Sequence, residues 1–223
     1  ESRHIPVLMR LTTRMAHSRA VVSTGEILEE NQVKFPEPQL ASNWVTLPVN
    51  AIKRVRQLAD DGLAFTADSE DSQDNAFVKG TDASVGIIAC GIAYNYLMEN
   101  FPDGCPYPVL KVTRYPFPKK QARELASMCS RIIVMEEGQP LIEERLRGLL
   151  YDGDNAALTI SGRLDGTLPR TGELTPDCVR AAVGLAPTGN KAASQVAVPR
   201  PPALCQGCGH RDFYTALNVV LER

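Results

Sequence analysis

The chain has 223 residues, 43% of them hydrophobic and 22% charged, which suits a globular protein with one large or two small domains. A formal net charge of −2 gives no reason to expect nucleic acid or an anionic membrane as a partner. No apolar run is long enough to cross a bilayer.

The chain opens Glu1-Ser2-Arg3-His4, without the basic stretch and apolar core of a signal peptide. Apolar residues begin almost at once, at Ile5, and the last helical pattern runs to Arg223 without a Gly stop signal. Both ends read as cuts through structure, so a piece of a longer polypeptide is expected. Six cysteines are dispersed along the chain: Cys90, Cys105, Cys129, Cys178, Cys205 and Cys208. Cys90 closes an apolar run and Cys129 lies on the apolar side of a helical pattern. Such placement fits reduced thiols in a cytoplasmic setting better than a disulfide frame.

Ile5 to Leu11 reads as a buried strand, followed by a polar loop carrying Arg10, Thr12, Thr13, Arg14, His17, Ser18 and Arg19. Arginines after a strand can hold a carboxylate or phosphate, or can simply be solvated. Residues 23 to 50 turn acidic and then Pro-rich, as a linker or crossover. Ala51, Val55, Leu58, Ala59 and Leu63 recur at helical spacing, and Asp68 to Asp74 reads as an acidic surface loop. Val85 to Ala89 is an apolar run ending at Cys90-Gly91, with a helix predicted from Ile92 to Glu99. Pro108 to Val112 is a second strand, and Ala122, Leu125, Ala126 and Cys129 mark a helix. Arg131 to Met135 is a third strand, and Ile142, Leu146, Leu149 and Leu150 mark the next helix. Apolar strands alternating with helices predict an α/β fold: a parallel sheet with helices on both faces. The stretch from Gly162 to Ala203 is punctuated by six prolines and holds one modest helical segment, Pro176 to Val183; it reads as an extended linker.

The densest chemistry lies in Cys205-Gln206-Gly207-Cys208-Gly209-His210-Arg211, directly before a helical pattern. Two thiolates separated by two residues can ligate one metal. Gly207 and Gly209 allow backbone angles that free N–H groups for an anion, and the helix adds its positive end. Three functional readings compete. A structural zinc site needs a second Cys/His pair, and none follows at a usual spacing. A thioredoxin-like pair should follow the first strand of a small domain, not a Pro-rich segment. The third is a ligand pair for an iron–sulfur cluster, or a diphosphate-facing loop, completed by residues elsewhere. A Gly-rich turn with two idle thiols is the bland alternative. Weaker candidates are Cys90-Gly91, where tight packing is preferred to phosphate binding, and Glu136-Glu137, where charge for the next helix is preferred to catalysis.

Three stretches taken together resemble a known family. They are Pro6 to Arg14 with His17-Ser18, Gly91 to Tyr96, and Leu204 to Arg211. In order and approximate spacing they are similar to the alpha subunit of indolepyruvate ferredoxin oxidoreductase, a thiamine diphosphate-dependent 2-oxoacid oxidoreductase. The resemblance implies oxidative decarboxylation of an aryl 2-oxoacid to an acyl-CoA, with thiamine diphosphate, Mg²⁺ and [4Fe-4S] clusters. It implies a beta subunit, ferredoxin, the 2-oxoacid and coenzyme A as partners. It also implies a domain order. Residues 1–24 would end a pyrimidine-binding domain, 25–50 would link, and 51–160 would form a transketolase-C-like α/β domain. Residues 161–200 would be a Pro-rich linker and 201–223 the start of a diphosphate-binding domain. Cys205, Gly207, Cys208, Gly209 and His210 match the family's cofactor-facing motif, with Cys205 and Cys208 as candidate cluster ligands. The family's activating glutamate and GDG…N metal motif match nothing in the chain. No catalytic residue is therefore assigned, and the chain alone is expected to bind no cofactor and to lack turnover. The competing expectation is a non-catalytic CxxC-bearing metal-binding or interaction module.

Overall fold

A computed structural model describes residues 8–9, 11, 16, 19–27, 29, 45–151, 158–188, 203–204 and 206–222. The chain divides into two units, residues 1–56 and 57–223. In the first, the strand expected over Ile5 to Leu11 falls largely outside the described residues. Leu8, Met9 and Leu11 are described; they lie in no strand and are exposed, so the buried-strand expectation does not hold for them.

Helix α1 (Pro48–Glu70) starts with proline in its first turn, where the missing N–H costs nothing. It runs further than the apolar spacing predicts and takes in Asp68, Ser69 and Glu70, which had read as loop. A polar knot explains the extension. The Ser69 hydroxyl is fully buried and donates to the carbonyls of Arg114 and Pro116. Asn75 Nδ2 donates to the carbonyls of Ser69 at 3.0 Å and Arg114 at 2.8 Å. Asn75 Oδ1 accepts the N–H groups of Thr113 and Arg114, each at 2.8 Å. Local periodicity contains no trace of these partners, which lie about forty residues away in sequence.

Five strands form one sheet: β1 (Phe77–Val78), β2 (Val85–Cys90), β3 (Val109–Val112), β4 (Arg131–Met135) and β5 (Thr159–Ser161). Their order is β1-β3-β2-β4-β5. All neighbours are parallel except β1, which pairs antiparallel with β3 at one edge. The α/β expectation is borne out, with that edge as a departure from an all-parallel sheet. β1 and β5 have only two and three residues, too few for periodicity to reveal. The central strands β2 and β4 are apolar along nearly their whole length because both faces are covered.

One face carries Ile88, Leu110, Ile132 and Val134 beneath α3 (Lys119–Met128) and α4 (Leu141–Leu149). Gly86 permits this approach: a Cβ there would lie 2.9 Å from a Leu125 methyl carbon of α3. The other face carries Ile87, Ala89, Val109, Ile133 and Met135 beneath α2 (Ile92–Glu99) and α5 (Pro176–Ala182).

The second cover corrects the domain reading. Leu168, Leu174 and Val179 are fully buried against that face, so residues 161–184 belong to the core and are not an extended linker. Prolines at 169 and 176 shape a wrapped segment instead of a spacer, since Pro176 simply opens α5. Leu168→Ala is therefore expected to lower unfolding free energy by about 2–5 kcal/mol in urea titrations. An unchanged midpoint would return the segment to linker status.

Candidate functional site

The CxGCGH motif lies at the start of helix α6 (Gly209–Leu221). Cys205 falls outside the described residues, so the geometry concerns its neighbours. Gly207 has φ 76°, the left-handed region that glycine enters without strain. Cys208 then occupies the N-cap with extended backbone, and its carbonyl accepts the Arg211 N–H at 2.9 Å. No side chain caps the helix, so no side-chain oxygen occupies the donors of its first turn. A Cβ added at Gly207 or Gly209 would meet nothing within 4 Å. Cys208 Sγ lies 3.5 Å from His210 Nδ1, which puts a thiol and an imidazole on the same turn. Uncapped donors, two glycines without neighbours and a soft ligand together suit an anion or a thiolate-bound centre.

A second polar cluster sits where β4 and β5 end. Glu136 is buried and its carboxylate accepts the N–H groups of Ile142, at 3.1 and 2.9 Å, and Glu143, at 2.9 Å. It thus satisfies the first turn of α4, which Pro140 leaves without a side-chain cap. The structure supports the helix-charge reading of Glu136 over the catalytic one. Burial pushes its carboxyl above the usual range, opposed by those N–H bonds and by Arg163. Glu137 accepts the Leu174 N–H at 3.0 Å and so ties down the wrapped segment.

Sequence reasoning missed Glu143 and Arg163. Glu143 is fully buried and accepts N–H groups from Arg163 at 2.8 Å and Leu164 at 3.1 Å, plus Arg147 Nη2 at 2.7 Å. Arg163 is itself buried and donates to the carbonyls of Glu136 at 3.2 Å and Gly172 at 3.3 Å. The helical spacing of Ile142 and Leu146 puts Glu143 between apolar positions, and nothing local marks it as buried.

Cys90 packs as predicted, but Gly91 needs a different reason. Gly91 has φ 55° and ψ −125°, and a Cβ there would meet nothing within 4 Å. Backbone angle, not crowding, makes it glycine. Burial pushes the Cys90 thiol far up, and nearby Glu136 adds to the shift, so this is an inert packing thiol. Of the arginine-rich loop after residue 9, Arg19 is described and exposed, while Arg10, Thr12, Thr13, Arg14, His17 and Ser18 fall outside the described residues.

No protein-family model matches the chain. Curated proteins do. Over nearly its whole length, the chain is similar to a segment of indolepyruvate oxidoreductase subunit IorA. The IorA of Methanothermobacter thermautotrophicus is 34% identical over 227 residues, 98% of this chain and 36% of that protein. The IorA of Methanothermobacter marburgensis is 34% identical over 235 residues, with the same two shares. That of Archaeoglobus fulgidus is 28% identical over 232 residues, again 98% and 36%. The chain thus spans about a third of the length of these IorA relatives. The resemblance read from three short motifs holds along the chain as a whole. Among the described residues, no helix is long and apolar enough to cross a membrane.

The turn that carries Arg163 has an acid-sensitive anchor in Asp165. Burial opposes its ionisation, but the N–H groups of Gly162 and Thr167 and the hydroxyls of Thr167 and Ser161 outweigh it. They hold the carboxyl down to about 2. A carboxyl lowered by folding stabilises the fold above its unfolded value of about 3.9 and loses that contribution as pH falls toward about 2. Asp165→Ala should therefore lower the urea midpoint at about pH 7, and its difference from the parent should shrink between about pH 4 and pH 2. A difference that stays constant across that range would show that the carboxylate charge is not what matters.

Proposed function

We propose that the chain is part of the alpha subunit of an enzyme that oxidatively decarboxylates an aryl 2-oxoacid, indolepyruvate, to the corresponding acyl-CoA. In this reading carbon dioxide would be released, coenzyme A would take the acyl group, and [4Fe-4S] clusters, when bound, would supply the route for the electron pair to ferredoxin. The support is the similarity to IorA over 98% of the chain, together with the uncapped CxGCGH turn at the start of α6. The beta subunit is the expected partner within the assembly.

The residues at the motif fit an anionic group. Gly207, Cys208 and Gly209 offer backbone N–H groups at an uncapped helix start, and His210 is a neutral or cationic donor beside them. These residues are assigned to the diphosphate of thiamine diphosphate; N–H donors do not ligate its Mg²⁺, which takes oxygen ligands. When bound, the thiamine supplies the carbanion-stabilising chemistry that decarboxylation requires. Cys208, with Cys205, is assigned as a cluster-ligand pair. No general base is assigned to this chain, and turnover belongs to the assembled enzyme. In the proposed division of labour, residues 57–184 are the transketolase-C-like unit and 201–223 open the diphosphate-binding unit.

A non-catalytic metal module is the competing reading, and one experiment separates the two. Iron, zinc and thiamine diphosphate binding are measured anaerobically on this chain and on an assembled subunit that contains it. Thiamine binding and iron in the assembly, with an empty isolated chain, is the expected result. Replacing His210 with Ala in the assembly should weaken thiamine diphosphate binding by about 10–100-fold. Stoichiometric zinc on the isolated chain, with no thiamine binding by either protein, would overturn the proposal.

A further inference from the structure

A cavity of about 320 Å³ opens at the end of the sheet where β2 and β4 begin. Val85 and Arg131 are the first residues of those strands and are register partners. Ile133, two residues on from Arg131, lies on the same face. Tyr107 closes one side, and Ala181 and Val183 at the end of α5 close another. This is the opposite end of the parallel strands from Glu136, and it is not built from the CxGCGH turn. Among the described residues, no thiol, imidazole or carboxylate lines it, so its chemistry is that of binding, not turnover.

The polar groups in the cavity point to one kind of ligand. Arg131 is half-buried, and its Nε donates to Ser161 Oγ at 3.2 Å. Among the described residues it forms no ion pair. The carboxylate closest in the network, Asp165, reaches it only through the Ser161 hydroxyl and is already engaged by two N–H groups. A half-buried guanidinium with no ion-pair partner among the described residues, lining a cavity, is a ready donor for a planar anion. Tyr107 lines the cavity and packs edge-on against Phe101, 6.2 Å between ring centroids, which holds its ring in place. Thr167 adds a hydroxyl side chain to the lining, and Val85, Ile133 and Val183 supply its apolar part. The last carbonyls of α5 border the cavity and carry partial negative charge, which opposes any anion there and opposes a dianion such as phosphate more than a monocarboxylate.

We propose that this cavity is a separate binding site for a small organic monocarboxylate with a compact apolar body, its carboxylate on Arg131 and Tyr107 and its body against Val85, Ile133 and Val183. The volume suits a ligand on the order of ten to fifteen heavy atoms. The site does not depend on the proposed decarboxylase activity, and it stands if that reading fails.

Phenylacetate titrated into the 223-residue chain, followed by two-dimensional ¹H–¹⁵N NMR, tests the proposal. Saturable shifts centred on Val85, Arg131 and Val183 are expected, with a Kd of about 1 mM or tighter. Arg131→Gln should weaken binding about tenfold or more, because a charge-assisted hydrogen bond is lost. Tyr107→Phe should weaken it by a smaller factor. Ala181→Phe, at an exposed position on the rim, should block entry while leaving the core intact. It keeps the test decisive if Arg131→Gln does not fold. 2-Phenylethanol, which keeps the body and drops the charge, and inorganic phosphate should each bind at least about tenfold more weakly. The proposal is overturned by shifts that do not saturate by about 10 mM. It is equally overturned by phosphate binding as tightly as phenylacetate, or by binding unchanged in Ala181→Phe or in folded Arg131→Gln.

Discussion

The strand pair β2–β4 imposes the constraint from which the rest of the structure follows. Both strands are buried on both faces, so every residue from Gly86 to Ala89 and from Ile132 to Met135 needs cover above and below. Helices α3 and α4 cover one face. On the other, α2 alone does not suffice, and the chain recruits residues 161–184 to finish the layer with Leu168, Leu174, Val179 and Ala182. A segment rich in proline and glycine is thereby drawn into the core by what it covers, not by its own periodicity.

Drawing that segment in creates a second problem, because irregular backbone near a core brings polar groups with it. Carboxylates, two of them buried, answer it. Glu143 takes the N–H groups of Arg163 and Leu164, Glu137 takes that of Leu174, and Glu136 completes the start of α4. Arg163 closes the set by donating to carbonyls on both sides of the join. Gly162 leaves room for this: a Cβ there would lie 2.5 Å from Glu143 Oε2. The ends of β4 and β5, where α/β sheets often bind ligands, are thus occupied by the protein's own loop-fastening network. The groups left open to a ligand are those of the CxGCGH turn and, independently, of the cavity at the other end of the strands.

The two candidate sites differ in what makes them chemical. At the CxGCGH turn the potential is local: an uncapped helix start, glycines with nothing around them and a thiol beside an imidazole lie within six residues. A sequence motif can carry such a site because the backbone itself supplies the donors. At the cavity the potential is non-local. Arg131, Tyr107 and Val183 come from three separate parts of the chain, and the arginine matters because it forms no ion pair among the described residues. No spacing rule reaches such a set.

The sequence by itself determined the α/β class, the three longer strands, most helices and the CxGCGH motif with its relation to α6. Each is written in short-range patterns: apolar runs of five or six residues, helical spacing, and glycines beside thiols. The same motifs carried the resemblance to IorA. Only the tertiary structure decided the length of α1, the two short strands, the antiparallel edge and the core role of residues 161–184. It also decided that Glu143 and Arg163 are buried together. The physical reason is the same in each case. Whether a polar group is buried, and whether a Pro-rich segment is cover or spacer, depends on partners some tens of residues away. Local composition records a residue's own preferences but not what long-range packing places against it.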